Sequence, residues 1–211
     1  MASSFINQTP IIIYLIQKLK PKRVLDVGKG MGKYGFLLHE YLGIDNTKKI
    51  DAQKTLKELS AVIVDAVEVD VDLMLPHLSQ IYNKVYFGDI LKIKDDLPTY
   101  DLILMIDIIE HIDKKEAILA LKDFLQKGSD IIIASPINFF QQDLYESDFE
   151  YHVSHWTSKD FKNLGFLDVQ YLSEGAIYLL SNKKLNVLGF GNSLIKKFRR
   201  VGRSILNEMK F

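Results

Sequence analysis

The sequence predicts a doubly wound α/β domain: a mostly parallel sheet with helices on both faces, closed by an antiparallel hairpin. Three observations carry this. Runs rich in Ile, Leu and Val without polar alternation recur along the chain, as strands buried on both faces require. Helical patterns separate them, in the βαβα order of an open parallel sheet. Near the end, two apolar runs flank the short polar segment Ser173-Glu174-Gly175, which reads as a hairpin.

Arg23 to Val27 is the first predicted strand, followed by a helix over Gly32 to Tyr41 with Leu37, Leu38 and Tyr41 on its apolar side. Val62 to Val69 is the second strand, Leu73 to Tyr82 a helix, and Lys84 to Phe87 the third strand. Asp101 to Asp107 is the fourth strand, and a helix over Lys114 to Gln126 ends before Gly128. Asp130 to Ser135 is the fifth strand, and Ser158 to Phe166 a short helix capped by Ser158. Leu167 to Tyr171 and Ala176 to Leu180 form the hairpin. The polar, weakly patterned residues 43–60 read as an insertion between the first helix and the second strand.

A length of 211 residues suits one domain, and 47% apolar with 26% charged residues excludes a disordered chain. There is no cysteine, so disulfides, thiol chemistry and thiolate-bound metals are excluded. Basic and acidic residues balance at 27 each. That argues against a whole-surface nucleic-acid binder, and no DNA partner is expected. The apolar run Ile11 to Ile16 is six residues long, against about 20 for a membrane span. The start, Met1-Ala2-Ser3-Ser4, lacks the basic residues of a secretory signal. The expected compartment is the cytoplasm.

The neutral total hides an asymmetry. Residues 191–211 carry Lys196, Lys197, Arg199, Arg200, Arg203 and Lys210 against one acid, Glu208, a charge of +5. The remaining 21 basic and 26 acidic groups leave residues 1–190 at −5. Within the tail, Leu194, Phe198, Val201, Ile205 and Met209 recur at helical spacing behind the cap Asn192-Ser193. A basic amphipathic helix of this kind fits an anionic membrane surface, a nucleic-acid substrate or a second subunit.

Three alternate glycines, Gly28, Gly30 and Gly32, join the first strand to the first helix. Ligands of open α/β sheets bind at the carboxyl ends of the strands, and glycines there admit close approach to the backbone. A dinucleotide fingerprint needs a further glycine at position 33, where Lys33 stands. That spacing argues against an NAD(P)-dependent oxidoreductase. The run Asp26-Val27-Gly28-Lys29-Gly30-Met31-Gly32 resembles motif I of the class I S-adenosylmethionine (SAM)-dependent methyltransferases. The resemblance extends from about Arg23 to about Leu180. It implies a seven-stranded sheet with the last two strands as a hairpin, and SAM as cofactor. Lys29 departs from the family, which often has cysteine there.

A ribose needs an acid at the end of the second strand. Among Asp65, Glu68 and Asp70 the family's phase selects Glu68, with Asp70 second. Asp89 and Ile90 match the family's adenine site, the acid for the amino group and the aliphatic side chain for the ring face. Asp26, Gly28, Gly30, Gly32 and Asp107 complete the implied cofactor set. Intact acids at 26, 68 and 89 argue against a non-catalytic SAM-binding module.

Asp107-Ile108-Ile109-Glu110-His111 ends the fourth strand, and His152-Val153-Ser154-His155-Trp156-Thr157 follows the fifth. The first resembles the D-x-x-E-H form of family members that methylate small molecules or RNA. The second resembles an H-x-x-x-W-T loop that brings a histidine over the active site. In microRNA-methylating 2′-O-methyltransferases similar residues hold a divalent metal. Carboxylates and imidazoles without cysteine suit Mg²⁺ or Mn²⁺ better than zinc. Glu110, His111 and His152 are the expected catalytic residues, with either histidine as the base. The resemblance places Ser135 to Asn138 beside the acceptor, and Tyr145, Phe149 and Tyr151 lie in a loop that could close over it. The acceptor is a small metabolite, a glycan or RNA.

Overall fold

The computed structural model describes residues 5–45, 47, 49–138, 151–185 and 187. The basic tail and the loop residues Tyr145 and Phe149 lie outside them. In chain order the main elements are α1 (Thr9–Leu19), β1 (Arg23–Val27), α2 (Lys33–Leu38), α3 (Leu56–Leu59), β2 (Ile63–Glu68), α4 (Leu78–Ile81) and β3 (Lys84–Phe87). They continue with α5 (Ile90–Ile93), β4 (Leu102–Ile106), α6 (Lys114–Gln126), β5 (Asp130–Pro136), α7 (Ser158–Phe161), β6 (Phe166–Tyr171) and β7 (Gly175–Ser181).

The seven strands form one sheet in the order β3-β2-β1-β4-β5-β7-β6. β1 pairs in parallel with both β2 and β4, and only β7 runs antiparallel, against β5 and β6. The chain thus winds outward from β1 on one side, returns, and winds outward on the other. Successive residues of β1 serve opposite faces. Val24 joins the cluster containing Ile12 and Leu15 of α1 and Leu38 of α2. Leu25 and Val27 join the cluster containing Leu121 and Phe124 of α6. Two buried faces explain why the central strands are apolar throughout.

Local chemistry ends the helices where the sequence suggests. Asp113 caps α6, its side chain accepting from the Lys115 and Glu116 amides, and Gly128 at φ 95° terminates it. The cap of α7 is Thr157, in a reciprocal capping box with Asp160, so Ser158 is the first helical residue and not the cap. Its helix ends at Phe161, because Phe166 already begins β6.

Other expectations are corrected. The helix over Leu73 to Tyr82 is a 3₁₀ turn, Val71–Leu73, and the single turn α4. After α2 the chain widens into a π turn, His39–Gly43. Its extra residue per turn rotates the apolar stripe: Tyr34, Leu38 and His39 are buried, and Tyr41 is exposed. His39 Nε2 donates to the Ile81 carbonyl at 2.8 Å. The insertion contains one capped turn, α3.

α1 was not legible beyond its apolar run. It buries Ile12, Leu15 and Ile16 completely or nearly so against the sheet face that also carries Val24. Replacing Leu15 with Ala should destabilise the domain by about 2–5 kcal/mol, read as a lower denaturant midpoint at unchanged slope. A cost below about 1 kcal/mol would show that α1 docks loosely.

Candidate active site

Because β1 to β5 are parallel, their carboxyl ends share one edge, and the expected cofactor and catalytic residues lie at it or, for Asp26, just beneath it. The glycine turn leaves β1 with Gly28, Gly30 and Gly32 all at positive φ, 70°, 49° and 84°. Two of these glycines answer to protein packing. A Cβ on Gly28 would sit 2.0 Å from Ile108 Cδ1, and one on Gly32 would sit 2.6 Å from Leu78 Cδ2. Their side of the turn is filled by the chain itself.

Asp26 lies beneath the turn, 2% exposed, its Oδ2 accepting from the Tyr82 hydroxyl at 2.6 Å. Burial pushes its pKa up to about 6, against the opposing Tyr82 bond. Glu68 closes β2. Its Oε1 accepts from the Val69 and Asp70 amides at 2.9 and 3.3 Å, and its Oε2 lies 3.7 Å from Lys29 Nζ. Asp89 caps α5, Oδ1 accepting from the Leu91 amide at 3.0 Å. Ile90 is buried in the core cluster that contains Leu25 and Val67.

Asp107 follows β4 with φ 52°, a left-handed conformation that Asp tolerates better than most residues. Its Oδ1 accepts from Gln8 Nε2 at 3.3 Å, and its Oδ2 is buried with no hydrogen-bond partner. Burial raises its pKa to about 6; Gln8 and Lys33 oppose the shift. Glu110 is 3% exposed and pushed up to about 8, by burial first and the charge of Asp107 second. Its Oε2 is likewise without a partner.

The segment after β5 is stitched onto this turn. The Val153 and Ser154 amides donate to the Glu110 carbonyl at 2.8 and 3.0 Å. The Ser154 hydroxyl and Trp156 Nε1 both donate to the Ile109 carbonyl, at 3.1 and 3.0 Å. Trp156 stacks on Phe161 with ring centroids 5.1 Å apart. These bonds bring His152 to His111, edge to face at 4.9 Å. Glu110, His111 and His152 each offer a ligand atom within 4.8 Å of the others. The two histidines and Glu110 therefore face one place, the arrangement that the resemblance implies. His111 Nδ1 lies 3.0 Å from the Tyr151 carbonyl. A carbonyl only accepts, so Nδ1 carries a proton.

Gln8 and Lys29 were missed. Gln8 sits before a helix that the sequence did not announce, so nothing in its surroundings marked it. Lys29 did carry a signal: a charged residue between two glycines of a buried turn.

No protein-family model matches the chain, and no curated protein matches it in sequence. Solved structures do. Monomeric WbdD superposes with a TM-score of 0.57 at 13% identity, over 87% of this chain and 43% of that one. An O-methyltransferase family protein from Burkholderia thailandensis gives 0.54 at 8%, over 84% of this chain and 57% of that one. The chain thus spans about half the length of these two proteins. A SAM-dependent methyltransferase from Archaeoglobus fulgidus gives 0.51 at 20% identity, over 78% and 69%. The chain has the class I methyltransferase fold. The methyltransferase domain of bacterial CtHen1-C shares it, with a TM-score of 0.51 at 15% identity over 82% of this chain and 97% of that domain.

The buried acids set the pH response of this fold. Asp107 titrates near 6 in the folded chain and near 3.8 when unfolded, so the unfolded state gains from ionisation first. Stability is lost as pH rises from about 4 to 6. Replacing Asp107 with Asn should therefore raise the unfolding temperature at pH 8, by the equivalent of roughly 1–3 kcal/mol, and leave it unchanged at pH 4. A lower unfolding temperature at both pH values would show that the carboxylate is stabilising where it stands.

Proposed function

We propose that this chain transfers the methyl group of SAM to an oxygen or nitrogen acceptor seated against Glu110, His111 and His152. The observation that carries the reading is the convergence of these three side chains, from two separate segments, at the carboxyl end of β4 beside the glycine turn. The partnerless Asp107 Oδ2 and the oriented Glu68 carboxylate fit a ligand rich in hydrogen-bond donors. When bound, SAM supplies an electrophilic methyl group and a thioether leaving group.

The residues do the rest by positioning and proton transfer. Glu68 would accept from the ribose hydroxyls, and Asp89 with Ile90 would hold the adenine. Asp26 holds the turn through Tyr82 and does not itself face the ligand. In-line transfer needs donor and acceptor held in contact and alignment, worth several orders of magnitude in rate. His111 takes the acceptor's proton at Nε2, with Tyr151 holding the ring through Nδ1. His152 packs against it and narrows the place where the acceptor sits. The same Glu110, His111 and His152 would hold a divalent cation. Two imidazoles and one carboxylate suit Mn²⁺ better than the oxygen-loving Mg²⁺, and such an ion would act as a Lewis acid on the acceptor oxygen.

Titration calorimetry with S-adenosylhomocysteine, beside NADH, tests the cofactor. Binding of the first and not the second is expected; no binding at millimolar concentration overturns the reading. Labelled-methyl transfer from SAM to small metabolites, glycans and RNA then tests the acceptor. Replacing His111 with Ala should lower the rate by about 10²–10⁴-fold with homocysteine-ligand affinity unchanged. A rate indifferent to EDTA assigns His111 as the base. A rate abolished by EDTA and restored by Mn²⁺ assigns the three residues to a metal.

A further inference from the structure

Lys29 stands between the first two glycines of the turn, and its side chain is completely buried. Its Nζ donates to the Leu73 carbonyl at 2.9 Å and lies 3.7 Å from Glu68 Oε2. Asp26 and Asp70 add to the negative field around it. Burial lowers its pKa, and these three acids oppose the shift. A buried ammonium is costly unless it is paired and hydrogen-bonded. Here it is both, and its partners come from three places: the end of β2, the turn Val71–Leu73 and, through Asp26, β1.

The consequence falls on Glu68. Its Oε1 is held by two backbone amides and its Oε2 by Lys29, so the carboxylate has one orientation. The two amides use both lone pairs of Oε1, whereas Oε2, at 3.7 Å from the ammonium, still has room to accept other donors. Without the ammonium, the buried Glu68 carboxylate would lose its counter-charge, and its Oε2 would have nothing to hold it.

We propose that Lys29 is a positioning residue for the cofactor's ribose, holding the Glu68 carboxylate oriented to accept from the 2′- and 3′-hydroxyls. The proposal rests on the methyltransferase reading and adds to it a residue by which this chain departs from the motif it resembles. Lys29 acts through Glu68, and the bond to Leu73 ties the Val71–Leu73 turn to the glycine turn as well.

The test is calorimetric titration of the full chain with S-adenosylhomocysteine and with its 2′,3′-dideoxy analogue. The variants are Lys29→Met, Lys29→Gln, Glu68→Gln and the double variant Lys29→Met with Glu68→Gln. Losing a charge-assisted contact should weaken the parent ligand roughly tenfold or more in both Lys29 variants. The dideoxy analogue should be weakened by less than about threefold in the same variants, because it lacks the hydroxyls that Glu68 serves. The double variant should bind no more weakly than Glu68→Gln alone, since coupled residues are not additive. Lys29→Gln retains a donor for Leu73 and keeps the test open if Lys29→Met fails to fold. Lys29 variants that bind the parent ligand like the wild type, or more tightly, overturn the proposal. Equal losses for both ligands also overturn it, because they mark a merely structural lysine. If the wild-type chain binds neither ligand, the methyltransferase reading falls and this inference with it. Wild-type binding with insensitive Lys29 variants removes only the role of Lys29.

Discussion

The parallel pairing of β1 with both β2 and β4 is the constraint on which the rest depends. It puts the carboxyl ends of β1 to β5 on one edge, so that turns distant in sequence meet there. It also buries β1 on both faces, which places Asp26 inside the domain beneath the turn that follows Val27. Backbone bonds continue the pairing into the loops: Gly28 donates to the Val67 carbonyl, Gly88 to Glu68 and Asp107 to Ala134, each at 2.9 Å. The site's loops are thereby anchored to strands beside their own.

Charge is the second organising feature. The edge gathers Asp26, Glu68, Asp107 and Glu110, all buried or nearly so, and among the described residues Lys29 is the cation buried beside them. Burial raises the pKa of Asp26, Asp107 and Glu110. A fold selected for stability alone would not collect partnerless carboxylate oxygens in this way. The arrangement fits a site that receives donors from a ligand and accepts a stability cost at neutral pH.

The histidine pair shows how backbone bonds aim side chains. His152 reaches His111 because Val153, Ser154 and Trp156 all donate to carbonyls of the turn Ile109–His111. The Glu110 carbonyl takes both amides, and the Ile109 carbonyl, which already accepts from the Ile112 amide at 3.2 Å, takes the side-chain donors on its second lone pair. Trp156, buried and stacked on Phe161, fixes the loop from the other side.

The sequence by itself determined the strand order class, the hairpin and the glycine turn, because burial on both faces and turn geometry leave local signatures. It also marked Glu110, His111 and His152 as partners, since their spacing resembles a known pattern. It could not announce α1, whose apolar face only makes sense against a sheet formed elsewhere. Nor could it decide the role of Lys29 or Gln8. A lysine in a glycine turn and a glutamine before a helix become meaningful only when β2 brings Glu68 beside one and β4 brings Asp107 beside the other. Those pairings span 39 and 99 positions of chain, and only the tertiary packing of the sheet sets such distances. The same packing sets Ile108 and Leu78 where a Cβ on Gly28 or Gly32 would stand, a requirement for glycine that only the tertiary structure shows.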